Sequence, residues 1–341
     1  MLLMLAAGCG SGDETQVSSG GSTTAPSASG GSKAGQKITV AMLPKQKGIP
    51  YFTSCATGAQ EAAKELGNVE VIYDGPTSGK AEESASMIEQ WTLQGVDVIA
   101  VSPNDPAILA PAMKAAREKG VHVITWDADG QPDTREWFIN QATAQAIGYA
   151  LVDTMAKDLG GDNASGDVAI ITASLTAANQ NEWMKHMKER LASKYPNLKL
   201  VDVKPAGEDQ LLGKQIAQDF IKAYPNLKGI FAISSAVFPG AAEGIKAAGK
   251  SGQVLVTGLA TPNDMKAYVK DGTVKSVVLW DTAALGKLTI YAARAVVDGK
   301  LKPGDKTFDA GPLGEKKIDG SSILLGDYLV FTKDNIDKYD F

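Results

Sequence analysis

The stretch "VDVIAVSPNDPAILAPAMKAAREKGVHVITWDAD", residues 96–129, decides the architecture. A short β-branched run leads into a helical period from Asp105 to Gly120, and a second apolar run, Val121 to Trp126, follows. Short, almost continuously apolar strands separated by a helix of about four turns indicate a parallel βαβ unit. The last strand ends in Asp127 and Asp129 rather than in turn residues alone. Two acids at that spacing fit a catalytic pair, a metal site, a clamp for ligand hydroxyls or a solvated loop.

The same alternation runs outward in both directions. Upstream, "KITVAMLP", "VEVIYDG" and the helices "YFTSCATGAQEAAKELG" and "AEESASMIEQWTLQG" complete a first block. Downstream, the strands "DVAIITAS", "LKLVDVKP", "LKGIFAISS" and "QVLVTGLA" alternate with helices to make a second. No long polar linker separates the blocks. The segments "VKSVVLWDTAALGKLTIYAARAVVDGK" and "LLGDYLVFTKDNIDKYDF" add strand and helix, too little for a third domain, so they return to the first two. The expected fold is α/β, two doubly wound parallel-sheet lobes joined by several crossings.

Bulk properties narrow the function. The chain has 341 residues, 44% hydrophobic and 21% charged, as in a globular protein, with a formal net charge of −5 that disfavours nucleic acid as a partner. The N-terminus, "MLLMLAAGC", resembles the end of a bacterial lipoprotein signal. Cys9 would be the lipidated first residue, followed by roughly 25 residues rich in Gly, Ser and Thr that form a tether. Residues 1–8 are then the residue of a signal whose basic start lies upstream, and residues 9–36 the tether. This places the protein outside the cytoplasmic membrane, attached only through lipid. Cys55, the other cysteine, is expected as a lone small core residue.

Enzyme motifs fail. "GPTSGKA" is one residue short of a phosphate loop and ends in Ala81. No dinucleotide fingerprint follows the first strand, and no nucleophile elbow occurs. Only His122 and His186 are present, which disfavours a Ser-His-Asp triad or a histidine metal site. "DADGQPD" has too few alternating oxygens for calcium. Asp127 and Asp129 would point the same way on an extended segment, and no second acid stands at an opposing strand tip, against a glycosidase. No cofactor or metal is expected.

Ligands in such sheets bind beyond the C-terminal ends of strands. The tips are Pro44–Lys45, Ser102–Asn104, Trp126–Asp129, Ser174–Gln180, Ser234–Pro239, Ala260–Pro262 and Trp280–Asp281. They supply carboxylate, amide, ammonium and aromatic faces, the chemistry that holds a sugar. Asp129, beside Gly130, reads as a turn residue.

"MLPKQKGIPYFTSCATGAQEAAKELG", "YDGPTSG", "VITWDAD", "NQNEW", "FPGAA", "GLATPNDM" and "TKDNIDKYDF" together resemble the type 1 periplasmic solute-binding proteins of ABC importers, in the branch that holds autoinducer-2 and rhamnose binders. The resemblance implies two lobes joined by three crossings, a ligand in the cleft between them and hinge closure on binding. It implies an N-terminal lobe of residues 37–139 and 281–322 and a C-terminal lobe of residues 140–280 and 323–341. Site residues implied by the autoinducer-2 binders are Lys45, Asp127, the pair Asn179–Gln180, and Pro239 with Ala241. Asn179 stands where that group has aspartate, and "NQNEW" is closer to the rhamnose binders. Phe52 is either core or a stacking face, and Trp183 and Trp280 either wall the cleft or touch the ligand, with Asp281 beside them. Asn179 could instead cap its helix. The implied partners are a sugar-like ligand, an ABC permease and its ATPase, with the chain a monomer. A receptor that signals to a membrane sensor is the alternative. Alanine at Asp127 is expected to cost binding and little stability.

Overall fold

The structure, a computed structural model, describes residues 35–341. The lipoprotein signal, Cys9 and nearly all of the expected tether lie outside the described residues. From there β1 (Ile38–Leu43), α1 (Pro50–Leu66), β2 (Val69–Tyr73), α2 (Ala81–Gln94), β3 (Val98–Val101), α3 (Pro106–Glu118) and β4 (His122–Trp126) alternate as the periodicity predicts. Asp105 starts α3 by accepting hydrogen bonds from the Ala107 and Ile108 N–H groups, and Pro106 occupies a first-turn position where no N–H is needed. A short β5 (Phe138–Asn140) adds to the parallel order β2-β1-β3-β4-β5.

The chain then leaves this sheet. Helix α4 (Ala144–Asp158) leads into β6 (Gly166–Thr172), α5 (Ala178–Lys194), β7 (Leu198–Pro205), α6 (Gln210–Ala223), β8 (Leu227–Ala232), α7 (Val237–Ala247), β9 (Leu255–Gly258) and α8 (Pro262–Lys270). Their strands form a second parallel sheet, β7-β6-β8-β9. Strand β10 (Val277–Leu279) joins its edge through a parallel bridge between Leu259 and Val278. Helix α9 (Thr282–Val297) returns to pack on α1. The sequence then adds β11 (Thr307–Asp309), β12 (Glu315–Asp319) and β13 (Ser322–Leu324) to the first sheet beside β5, and β14 (Leu329–Phe331) pairs antiparallel with β10. Three connections therefore run between the two sheets, at 141–143, 280–281 and 325–328.

The strands of residues 307–324 were not expected. They are three to five residues long and largely exposed, with charged side chains in "EKKID", so neither an apolar run nor a clean alternation marks them. The expected helical end is a single 3₁₀ turn, Ile336–Lys338. Cys55 is free and fully buried in α1, as a small core residue should be. No helix among the described residues is long and apolar enough to cross a membrane.

One contact sets the geometry of the site. Helices α1 and α9 touch backbone to backbone: a Cβ at Gly58 would collide with the Ala283 carbonyl, and one at Gly286 with the Cys55 carbonyl. Ser54 and Thr282 share a hydroxyl–hydroxyl bond of 2.6 Å along the same seam. The start of α1, with Tyr51 and Phe52, is thereby held against Trp280, two residues before the start of α9.

Candidate functional site

Asp127 follows the last residue of β4 with φ at +63°, the only positive φ of a non-glycine residue among those described. The Ala128 N–H donates to the Trp126 carbonyl at 2.7 Å, closing a γ-turn on Asp127. Aspartate tolerates this left-handed backbone better than most side chains, yet it is a conformation the surroundings must impose. Its consequence is that the two acids part. The expectation that Asp127 and Asp129 point the same way fails because the segment reverses instead of extending. Asp129 accepts from Thr125, from the Gly130 N–H and from Arg135 Nε at 2.9 Å, so it holds the loop, as a turn residue should.

Asp127 turns inward. Its Oδ1 accepts from the Tyr51 hydroxyl at 2.8 Å, and its Oδ2 accepts from the Ser102 hydroxyl at 2.9 Å and lies 3.2 Å from Lys45 Nζ. Lys45 and Asp127 are both buried, so their opposite charges meet out of water. The Trp280 indole donates to Tyr51 at 3.1 Å, extending the network to α9. Burial pushes the Tyr51 phenol well above its usual range, and the Asp127 charge adds to this, so Tyr51 stays a neutral donor.

The second sheet supplies the facing groups. Lys45 Nζ also donates to Asn179 Oδ1 at 3.2 Å, and the Asn179 amide reaches the Asp127 carbonyl at 3.5 Å. Asn179 is not at the cap position of α5, which is Ala177, but its Oδ1 also accepts from the first-turn Gln180 N–H at 2.9 Å, so it serves its own helix as well as Lys45. Gln180 Oε1 accepts from the Thr172 hydroxyl and from the Ala173 N–H at 2.8 Å. Its oxygen is thus engaged within its own sheet, and the amide nitrogen is the donor left for a ligand.

Lys45, Tyr51, Asp127, Asn179 and Gln180 line one cavity, with Phe52, Trp183 and Trp280 as its aromatic walls. Phe52 packs edge-on against Trp126 at 5.7 Å, and Trp183 lies 6.1 Å from Trp280. Seven of the residues singled out from the sequence meet here: Lys45, Phe52, Asp127, Asn179, Gln180, Trp183 and Trp280. The other three stand apart. Pro239 lines a neighbouring cavity, Ala241 is fully buried inside α7, and Asp281 caps α9 through the Ala284 N–H at 2.8 Å.

Two functional groups escaped the sequence reading, Tyr51 and Glu208. Tyr51 adjoins Phe52 at the start of α1, and only the close α1–α9 seam shows that both face inward. Glu208 follows the end of β7, the one strand tip of the second block left out of the reckoning; applying the strand-end rule there would have found it. It is an acid on the opposing lobe in the same cavity as Asp127, so the absence of such an acid is no ground against hydrolysis. Burial raises its carboxyl above the usual range, while the Ser234 hydroxyl and the Lys45 charge act the other way and the Asp127 charge adds to the rise.

Residues 40–301 match the periplasmic binding protein domain. The chain belongs to the periplasmic binding protein family. It is accordingly a binding protein and not an enzyme, which settles the question that Glu208 reopens. This periplasmic binding protein is 26% identical over 280 residues to the ribose import binding protein RbsB of Escherichia coli, covering 82% of this chain and 91% of the relative. Among solved structures it is similar to LsrB from Clostridium saccharobutylicum in complex with AI-2, at 29% identity and a TM-score of 0.84, covering 89% of this chain and all of that one. A solute-binding protein from Clostridium phytofermentas with bound L-rhamnose is 30% identical, with a TM-score of 0.82 over 89% of this chain and 98% of the other.

Proposed function

We propose that this chain is the extracytoplasmic solute receptor of an ABC importer and binds a small sugar-like ligand, of the autoinducer-2 or deoxyhexose kind, between its lobes. The observation that carries this is one ammonium, two carboxyl groups and two carboxamides, from both sheets and at least half-buried, beside three aromatic walls. A carboxylate accepts two hydroxyl bonds, an ammonium donates, and a carboxamide does both, so the set replaces water around a polyol. Aromatic faces cover the C–H surface of the ring.

The lobes of this reading are residues 37–139 with 281–322 and residues 140–280 with 323–341, closing about the three connections. The closed pair is what a permease would recognise. Lipid at Cys9 would hold a monomeric receptor at the membrane through the segment that follows it. Pro239, Ala241 and Asp281 act in this scheme by shaping α7 and α9 rather than by touching the ligand.

The test is calorimetric titration of the untethered chain with L-rhamnose, autoinducer-2 and D-ribose in borate-free buffer. Micromolar or tighter binding of one of them supports the reading. No heat with any of the three, nor with a wider panel of pentoses and deoxyhexoses, overturns it.

A further inference from the structure

Glu208 has more to do than line a wall. It borders the inner cavity, a second cavity that reaches the starts of α2 and α3, and a third beside the loop from Gln46 to Pro50. It accepts a hydrogen bond from the Ser234 hydroxyl, which fixes its carboxylate at the junction of the three. We propose that Glu208 is a specificity-determining residue of the cleft, admitting a neutral, hydroxyl-rich solute and rejecting its carboxylate- or phosphate-bearing counterpart. The proposal rests on the sugar-receptor reading and names the charge class of its ligand.

The charge inventory is the reason. Among the residues lining the inner cavity, Lys45 is the one cation, and it lies 3.2 Å from Asp127. That pair is neutral. An ionised Glu208 leaves the lining with one negative charge in excess, in a site where burial weakens screening. The groups facing Glu208 across the other two cavities do not reverse the sign. They are Glu82 and Asp105 on one side, and Lys47 with Asp264 on the other, where Lys47 is 2.9 Å from Asp74. A ligand hydroxyl can donate to Glu208, whereas a ligand carboxylate or phosphate meets it as a like charge, a rejection built into the site rather than a lack of contacts. Because burial raises the Glu208 carboxyl, the rejection strengthens as pH rises and the group ionises.

The experiment titrates the wild type, Glu208→Gln and Ser234→Ala with L-rhamnose, D-ribose, D-galacturonate and D-ribose 5-phosphate, after thermal melts have shown all three chains folded. The expected result is that the wild type ignores both anions. Glu208→Gln, which keeps shape and loses charge, binds at least one of them about tenfold tighter than the wild type does. Ser234→Ala keeps the carboxylate and keeps rejecting anions. Anion binding by the wild type overturns the proposal, as does a Glu208→Gln chain that gains nothing, or a Ser234→Ala chain that gains as much. A wild type silent towards both neutral sugars speaks against the sugar reading, while the anion arm still decides Glu208.

Discussion

The ammonium of Lys45, at the tip of β1, donates to the carboxamide oxygen of Asn179, in the first turn of α5, at 3.2 Å and across 134 residues of chain. The same nitrogen stands 3.2 Å from the buried carboxylate of Asp127. Lys45 therefore ties an intralobe ion pair to the opposite lobe. Lys45→Met should leave the Asp127 charge buried without its cation, lowering unfolding free energy by about 3 kcal/mol and weakening ligand binding at least about tenfold. Urea denaturation and titration of the same variant check both, and an unchanged denaturation midpoint would remove the ion pair from the account.

Asp127 joins a charge to a left-handed backbone. Asp127→Ala loses the charge at a φ of +63° that alanine tolerates poorly, and strands Lys45, so about 3 kcal/mol of stability should go with the binding. Asparagine tolerates that backbone and still accepts a hydrogen bond, so Asp127→Asn should lose binding with a smaller stability cost. The sequence-based expectation of a nearly unaffected alanine variant is thus replaced; equal melting temperatures for both variants and the wild type would restore it.

Gly58 and Gly286 permit the backbone contact of α1 with α9. Gly58→Ala should push the helices apart, destabilise the chain by about 3 kcal/mol, and weaken ligand binding because Tyr51 and Trp280 move with them. A fully stable Gly58→Ala protein with native affinity is the result that would contradict this coupling.

His122 lies outside the site and offers a pH test of the fold. Its ring sits 2.9 Å from Glu136 Oε1, and this hydrogen bond raises the imidazole above its ordinary value of 6.5, with burial opposing. The folded state binds the proton more tightly than the unfolded one. The stabilisation is therefore complete below pH 6.5 and is lost as pH rises through the folded value. At this half-exposed pair it should amount to about 0.5 kcal/mol. Denaturation midpoints should decline slightly from pH 6 to pH 8 and be flatter in His122→Gln; identical slopes would show that the pair contributes nothing.

Much of the site was legible because strand ends are local features. Lys45, Asp127, Asn179 and Gln180 each follow or closely trail an apolar run that pattern alone identifies, and the rule that ligands gather at strand tips places them together. Glu208 was legible by the same rule and missed by omission. Tyr51 was not: helical periodicity marks the start of α1 as half-buried without saying that two adjacent aromatics both face the cavity. Pro239 and Ala241 came from resemblance; Ala241 is buried inside α7, and Pro239 lines the neighbouring cavity rather than the inner one.

By itself the sequence determined the βαβ order, the two blocks and the residues at strand tips, because apolar period and turn chemistry act within a few residues of one another. Tertiary structure alone decided that Asp127 and Asp129 diverge, that Glu208 faces Lys45 and Asp127, and that residues 307–324 close onto β5. Those outcomes depend on a reversed backbone held by neighbouring strands, on a charge balance between distant segments, and on exposed short strands that pair only with a sheet already in place.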